Sequence, residues 1–173
     1  MTTNPPAHCD EESYTVRRTI RIHADAARVW KAVTEPRHIS RWFAQTDIDT
    51  RTRCGTMRFD DDPDHHCGTA RSDDETGSIP FAVVASVEER SITYRWNNDE
   101  AAPQTPARYT PKSATEFTFT LRPDGQDTVL TVEETGFELT TDPRRNLHSH
   151  TVGWTFQLDK LVTLFDTTAE AAR

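Results

Sequence analysis

Gly153-Trp154-Thr155-Phe156-Gln157-Leu158 lies within a run in which Leu147, Thr151, Trp154, Leu158, Leu161 and Phe165 recur at alternating intervals of four and three. That spacing is the stripe of a helix that must bury one side. Asp142-Pro143 opens the run, the aspartate as N-cap and the proline in the first turn, where a missing N–H breaks no helical bond. His150 and Gln157 flank the stripe on one side as a half-polar seam. A second tryptophan-centred stretch stands near the other end of the chain: Val29-Trp30, then Thr34-Glu35-Pro36, then Trp42-Phe43. It reads as two short helices meeting at a proline. Asp25 caps the first, in which Ala26, Val29, Trp30 and Val33 follow helical spacing, and Pro36 suits the first turn of the second. The second helix ends near Trp42-Phe43 and places Ile39 and Trp42 on one face.

Between these helical ends the signal is mostly strand. Tyr14, Val16, Ile20 and Ile22 alternate onto one face, with Arg18 the exception, an arginine that either sits at a bulge or points toward the interior. Met57-Arg58-Phe59, Phe81 to Val87, and Ile92 to Trp96 carry the same pattern. Phe117, Phe119 and Leu121 alternate with polar neighbours most cleanly. Pro123-Asp124-Gly125 then supplies a turn and Thr128 to Thr135 the return strand, a hairpin with a longer loop. Two polar stretches, 60–78 and 97–113, read as connecting loops, too short to be linkers between independent domains. The expected organisation is a flexible N-terminal tail (1–13), a single domain (14–166) and a flexible C-terminal tail (167–173). The fold class is α+β, a curved antiparallel sheet gripping the long C-terminal helix, with two short helices after the first strand.

At 173 residues the chain suits one domain with a sizeable core. Twenty basic against 28 acidic residues give a formal charge of −8, and no basic stripe interleaves with aromatics, so no nucleic-acid partner is expected. Mean hydropathy is −0.75 and no apolar run approaches a membrane span. Met1-Thr2-Thr3-Asn4-Pro5-Pro6 lacks the apolar stretch of a signal peptide, so the expected location is cytoplasmic. Cys9, Cys54 and Cys67 are odd in number and irregularly spaced, against a disulfide framework. His65-His66-Cys67 after Asp60-Asp61-Asp62 has side chains that suit zinc, but no second ligand pair at a recognised spacing, and it reads as a solvated acidic loop with no metal. A nucleophile elbow, a phosphate-cradling glycine loop and a dinucleotide fingerprint are all missing, so no catalytic residue and no cofactor is assigned.

Ile22-x-Ala24, Val29-Trp30, Thr34-Glu35-Pro36 and Trp42-Phe43, followed by Glu134-Thr135-Gly136-Phe137 and Gly153-Trp154 with Leu158 and Leu161, resemble the single-domain proteins similar to activators of the large heat-shock chaperone ATPase. These belong to the START-related, or SRPBCC, superfamily with a helix-grip fold. The resemblance spans about Tyr14 to Phe165 and rests on the order of the motifs together. It implies a sheet wrapped around the long helix, the two short helices closing one end, and a cavity between. Members of the superfamily hold lipids, sterols, polyketides or other apolar molecules there, and some catalyse cyclisation or hydrolysis. The chain departs from the pattern at Asp25, where proline is usual, at Cys54-Gly55, where a glycine pair is usual, and in the acidic insertion after Phe59. Full chaperone activators carry an additional N-terminal domain that these residues do not include, so stimulation of a chaperone ATPase is not implied.

The ligand-contact residues expected from this reading are Trp42, Phe43, Trp96, Glu134, His150, Trp154 and Gln157. Glu134 shares a strand face with Leu130 and Val132, which point at the long helix. It is either a ligand anchor or acid/base group, or a strand-end residue reaching water. His150 and Gln157 either line the cavity or mark the boundary of the buried stripe, and the tryptophans are either core or ligand wall. The expected function is binding of a small apolar, lipid-like or aromatic molecule. A cyclase- or hydrolase-like enzyme using Glu134 and His150 as acid and base, and a chaperone-associated interaction module, stand as alternatives.

Overall fold

The computed structural model describes residues 4–59, 78–99 and 114–171. The acidic loop with His65-His66-Cys67 and most of the second polar stretch lie outside them. Strands β1 (His8–Asp10), β2 (Thr15–Ile22), β3 (Gln45–Asp49), β4 (Cys54–Arg58), β5 (Ile79–Val87), β6 (Ser91–Trp96), β7 (Thr115–Asp124) and β8 (Asp127–Thr135) form one sheet. Its order is β1-β2-β8-β7-β6-β5-β4-β3, antiparallel at every pairing. Helices α1 (Ala26–Thr34) and α2 (Pro36–Ile39) carry the chain from β2 to β3 at the far edge. The strands then return one by one until β8 closes against β2. Helix α3 (Pro143–Ala171) follows, its buried side on the sheet. This is the curved sheet and long helix of a helix-grip fold.

The alternation read from sequence is the alternation of burial. On β8, Thr128, Leu130, Val132 and Glu134 turn inward; on β7, Thr115, Phe117, Phe119 and Leu121; on β6, Ile92, Tyr94 and Trp96. Register sets Glu134 between Val16 of β2 and Phe117 of β7. On β2 the pairing with β8 runs without interruption from Val16 to Ile22, so Arg18 occupies a regular inward position and not a bulge. It is 1% exposed. Its guanidinium donates to the carbonyls of Pro5 at 2.8 Å, Trp154 at 3.3 Å and Thr155, and it pairs with Asp159. A buried charge persists only where its donors are satisfied, and here that requirement fastens both the N-terminal segment and α3 to β2.

Several boundaries differ from the sequence reading. The stretch read as an N-terminal tail contributes β1, which pairs with β2 at His8↔Arg17 through Asp10↔Thr15. Asn4 also brackets Arg21, accepting from its N–H at 2.8 Å and donating to its carbonyl at 3.2 Å, and Ala7 N–H donates to Thr155 Oγ1 at 2.9 Å. Main-chain pairing needs no apolar pattern, so such a short strand leaves no periodic trace. Tyr14 belongs to the turn before β2, not to its inner face, with φ of 49°. α3 runs on to Ala171, so part of the stretch read as a C-terminal tail is helical. α2 is a single turn that stops at Ile39, and Trp42 and Phe43 follow it with their N–H groups bonded to the Ile39 carbonyl.

Asp25 Oδ1 accepts from Arg28 N–H at 2.9 Å, and α1 ends because Glu35, preceding a proline, takes an extended conformation. At Gly55 a Cβ would stand 2.0 Å from the Asp47 carbonyl oxygen, so of the usual glycine pair this position is the one that β3–β4 packing demands.

Candidate functional site

Gly136, at φ of 95°, turns the chain out of β8 and lets Phe137 fold back onto α3. The residue two places before it, Glu134, is fully buried. Four side chains donate to its carboxylate. Trp96 Nε1 reaches Oε1 at 2.8 Å, Thr115 Oγ1 reaches the same oxygen at 2.6 Å, and Trp154 Nε1 reaches Oε2 at 2.7 Å. His150 Nδ1 lies 3.1 and 3.0 Å from the two oxygens. A carboxylate offers about four acceptor directions, and all are taken. The other ring nitrogen of His150, Nε2, is 3.1 Å from the Asn98 carbonyl oxygen. Carboxylate and carbonyl are both acceptors, so each ring nitrogen of His150 stands where an N–H would donate. Phe137 packs edge-on to its ring at 5.1 Å and Trp96 at 5.8 Å. Burial alone pushes the Glu134 carboxyl up, but the charge of His150 and the hydrogen bonds from His150, Thr115 and Trp154 outweigh it and hold the group below its ordinary range.

An aromatic layer extends from this corner. Phe43 lies parallel to Trp154, 8° between planes and 5.3 Å between centroids. It also meets Trp42 at 5.2 Å, Phe59 at 5.1 Å and Trp96 at 5.9 Å. Phe117 joins Trp96 at 4.8 Å and Trp154 at 5.1 Å, and Phe119 stands perpendicular to Trp154 at 5.7 Å. The polar tips of the layer are spent inside the protein. Trp42 Nε1 donates to the Ala32 carbonyl at 2.8 Å and Tyr94 Oη to that of Val33 at 2.6 Å, fixing α1 to the sheet. Burial pushes the Tyr94 phenol well above its usual range.

Gln157 is the contrast. It is 6% exposed, on the buried side of α3 one turn beyond Trp154, and among the described residues its Oε1 is buried without a hydrogen-bond partner.

Of the seven ligand-contact residues expected from sequence, Trp42, Phe43, Trp96, Glu134, His150 and Trp154 are brought into one connected cluster, and Gln157 follows Trp154 by three residues on the buried side of α3. The sequence reading missed Thr115, Phe59, Phe117, Phe119 and the Asn98 carbonyl. Phe117 and Phe119 carried a signal, since their alternation shares a hairpin face with Glu134. Thr115 and Asn98 carried none, because the first adjoins and the second lies within a stretch read only as loop. On the other face of the sheet a groove of about 380 Å³ is lined in part by Arg95, Glu116, Gly136 and Leu139, with Arg95 and Glu116 paired to each other. Among the described residues no group of three or more His, Cys, Asp or Glu side chains is placed to hold a metal ion, and no helix is long and apolar enough to cross a membrane.

Residues 23–166 match the family described as Activator of Hsp90 ATPase homolog 1-like protein, and the chain belongs to that family. No curated protein matches it. Among solved structures, protein MLL2253 from Mesorhizobium loti is similar at 25% identity and a TM-score of 0.65, over 89% of this chain and 98% of that one. CalU16 from Micromonospora echinospora is similar at 23% identity and 0.58, over 87% and 73%. Protein Ms6760 from Mycobacterium smegmatis is similar at 15% identity and 0.63, over 96% and 99%. The last two likenesses speak to the fold.

Proposed function

We propose that this protein binds a small, mainly apolar molecule against the aromatic layer between Trp42-Phe43 and α3. The observation that carries the reading is the layer itself: rings from the end of the helical lid, from β6 and β7 and from α3 meet at one place, with their N–H and O–H groups turned to partners within the protein. A buried aromatic lining of that kind offers area and shape and few polar contacts, as small-molecule sites do. In this reading Trp42, Phe43, Trp96, Trp154 and Gln157 contact the ligand. Glu134 and His150 hold the tryptophans in place, a positioning role. An acid/base pair needs a lone pair or proton directed at substrate; with its acceptor directions filled, Glu134 has none to give, which favours binding over cyclase- or hydrolase-like chemistry. The free thiols Cys9 and Cys54 suit a reducing, cytoplasmic setting.

Native mass spectrometry of the purified protein, followed by titration of lipid, sterol and aromatic panels, tests the reading. A stoichiometric adduct, or saturable binding weakened at least tenfold by Phe43→Ala, is the expected result. An unliganded mass together with no binding across the panels would overturn it.

A further inference from the structure

Among the described residues, the aromatic layer has almost nothing polar left to offer. Trp42 donates to the Ala32 carbonyl, Trp96 and Trp154 to Glu134, and Tyr94 to the Val33 carbonyl. The Glu134 carboxylate is full. Gln157 Oε1 is the exception, buried and without a partner, three residues after Trp154 on the buried side of α3. A residue three positions on along a helix is a neighbour on the same face, so a molecule lying against Trp154 comes within reach of the amide.

The surroundings make this orphan informative. The fold satisfies its other buried polar side chains with care: Arg18 is matched by three carbonyls and Asp159, Glu134 by four donors, Thr128 by the Ala24 carbonyl at 2.8 Å. Buried polar groups in proteins are nearly always paired, and one that is not calls for a specific explanation. Leucine, which α3 uses one residue later and again at Leu161, fills such a position at no polar cost.

We infer that Gln157 Oε1 accepts a hydrogen bond from the ligand, and that the ligand class is therefore a flat aromatic ring system carrying an N–H or O–H donor. This rests on the binding reading above and adds to it the group that is read. The ring body lies beside the stacked Phe43–Trp154 pair, and the donor is directed at Gln157. A pocket that must satisfy a buried acceptor rejects an analogue without the donor far more strongly than an apolar pocket rejects a small change of size.

The test uses indole and benzothiophene, bicyclic rings of nearly the same shape of which only indole has an N–H. Calorimetric titration of the full chain is expected to give a dissociation constant at least tenfold lower for indole. In Gln157→Met, and separately in Gln157→Leu, indole loses at least tenfold while benzothiophene binds as well or better, so the preference disappears. Near-UV circular dichroism identical to the parent shows that these variants keep their packing. Equal affinity for the two compounds in the parent, a preference that survives both substitutions, or no binding of either compound would overturn the inference. The native mass spectrum and the wider panels decide the binding reading separately.

Discussion

Two polar side chains seven residues apart on the buried side of α3 stand in opposite conditions. His150 has both ring nitrogens engaged, by Glu134 and by the Asn98 carbonyl, and is walled in by Phe137 and Trp96. Gln157 sits in a similarly dry place with its amide oxygen unanswered. The difference separates two uses of polarity in a protein interior. A buried charge that is fully paired fixes geometry, here the orientation of Trp96 and Trp154 through Glu134. A buried acceptor with no partner is a cost that a ligand can remove. From sequence alone the two residues looked alike, a histidine and a glutamine on the flank of one apolar stripe.

The strongest way to break the comparison is to remove charge from the paired corner. Glu134→Gln leaves His150 facing an amide in a dry site, and breaking a buried pair from one side costs about 3–5 kcal/mol. Urea unfolding is expected to show a loss of that size. A loss below about 1 kcal/mol would mean that the corner does not organise the core, since that is the range of exposed pairs.

Acid titration sharpens the same point. The folded-state value of Glu134 lies below the ordinary 4.5, so its contribution is fully present above that value and is lost as pH falls through the lower folded-state value. Each proton taken up on unfolding steepens the decline by about 1.4 kcal/mol per pH unit. Unfolding free energy measured from pH 6 downward should therefore fall more steeply in the parent than in Glu134→Gln, by up to one proton. Parallel acid limbs would contradict the assignment of a charged Glu134.

The smallest effect has the opposite sign. Without ligand, Gln157→Met exchanges a side chain whose buried amide oxygen has no partner among the described residues for an apolar one of similar length, a change that is neutral or stabilising by about 1 kcal/mol. Thermal unfolding is expected to show an unchanged or higher midpoint. A marked drop would mean that Gln157 has a structural partner after all.

The legible and illegible parts of the molecule follow from physics. Helix α3, the cap at Asp25, the proline between the short helices and the β7–β8 hairpin each depend on local spacing or local chemistry, which a sequence displays directly. The inward course of Arg18 was legible only as one of two options, because its carbonyl acceptors on α3 lie more than 130 residues away. Strand β1 was invisible, since three residues of main-chain pairing at an edge impose no side-chain pattern. At the candidate site, the convergence of Trp42, Phe43, Trp96 and Trp154 was open to expectation through motif order. The satisfaction of Glu134 was not, because it takes donors from β6, β7 and α3 at once, and neither was the orphaned oxygen of Gln157, which exists only as the lack of such donors.

The central claim is that the His150 corner is closed and the Gln157 position open to ligand, and nuclear magnetic resonance of the full chain titrated with indole tests it most directly. The Gln157 side-chain amide signals and those of Phe43 are expected to move with saturation, while the His150 ring N–H protons and the Trp96 Nε1–H keep their shifts. Movement of the His150 and Trp96 protons with Gln157 unmoved would contradict it.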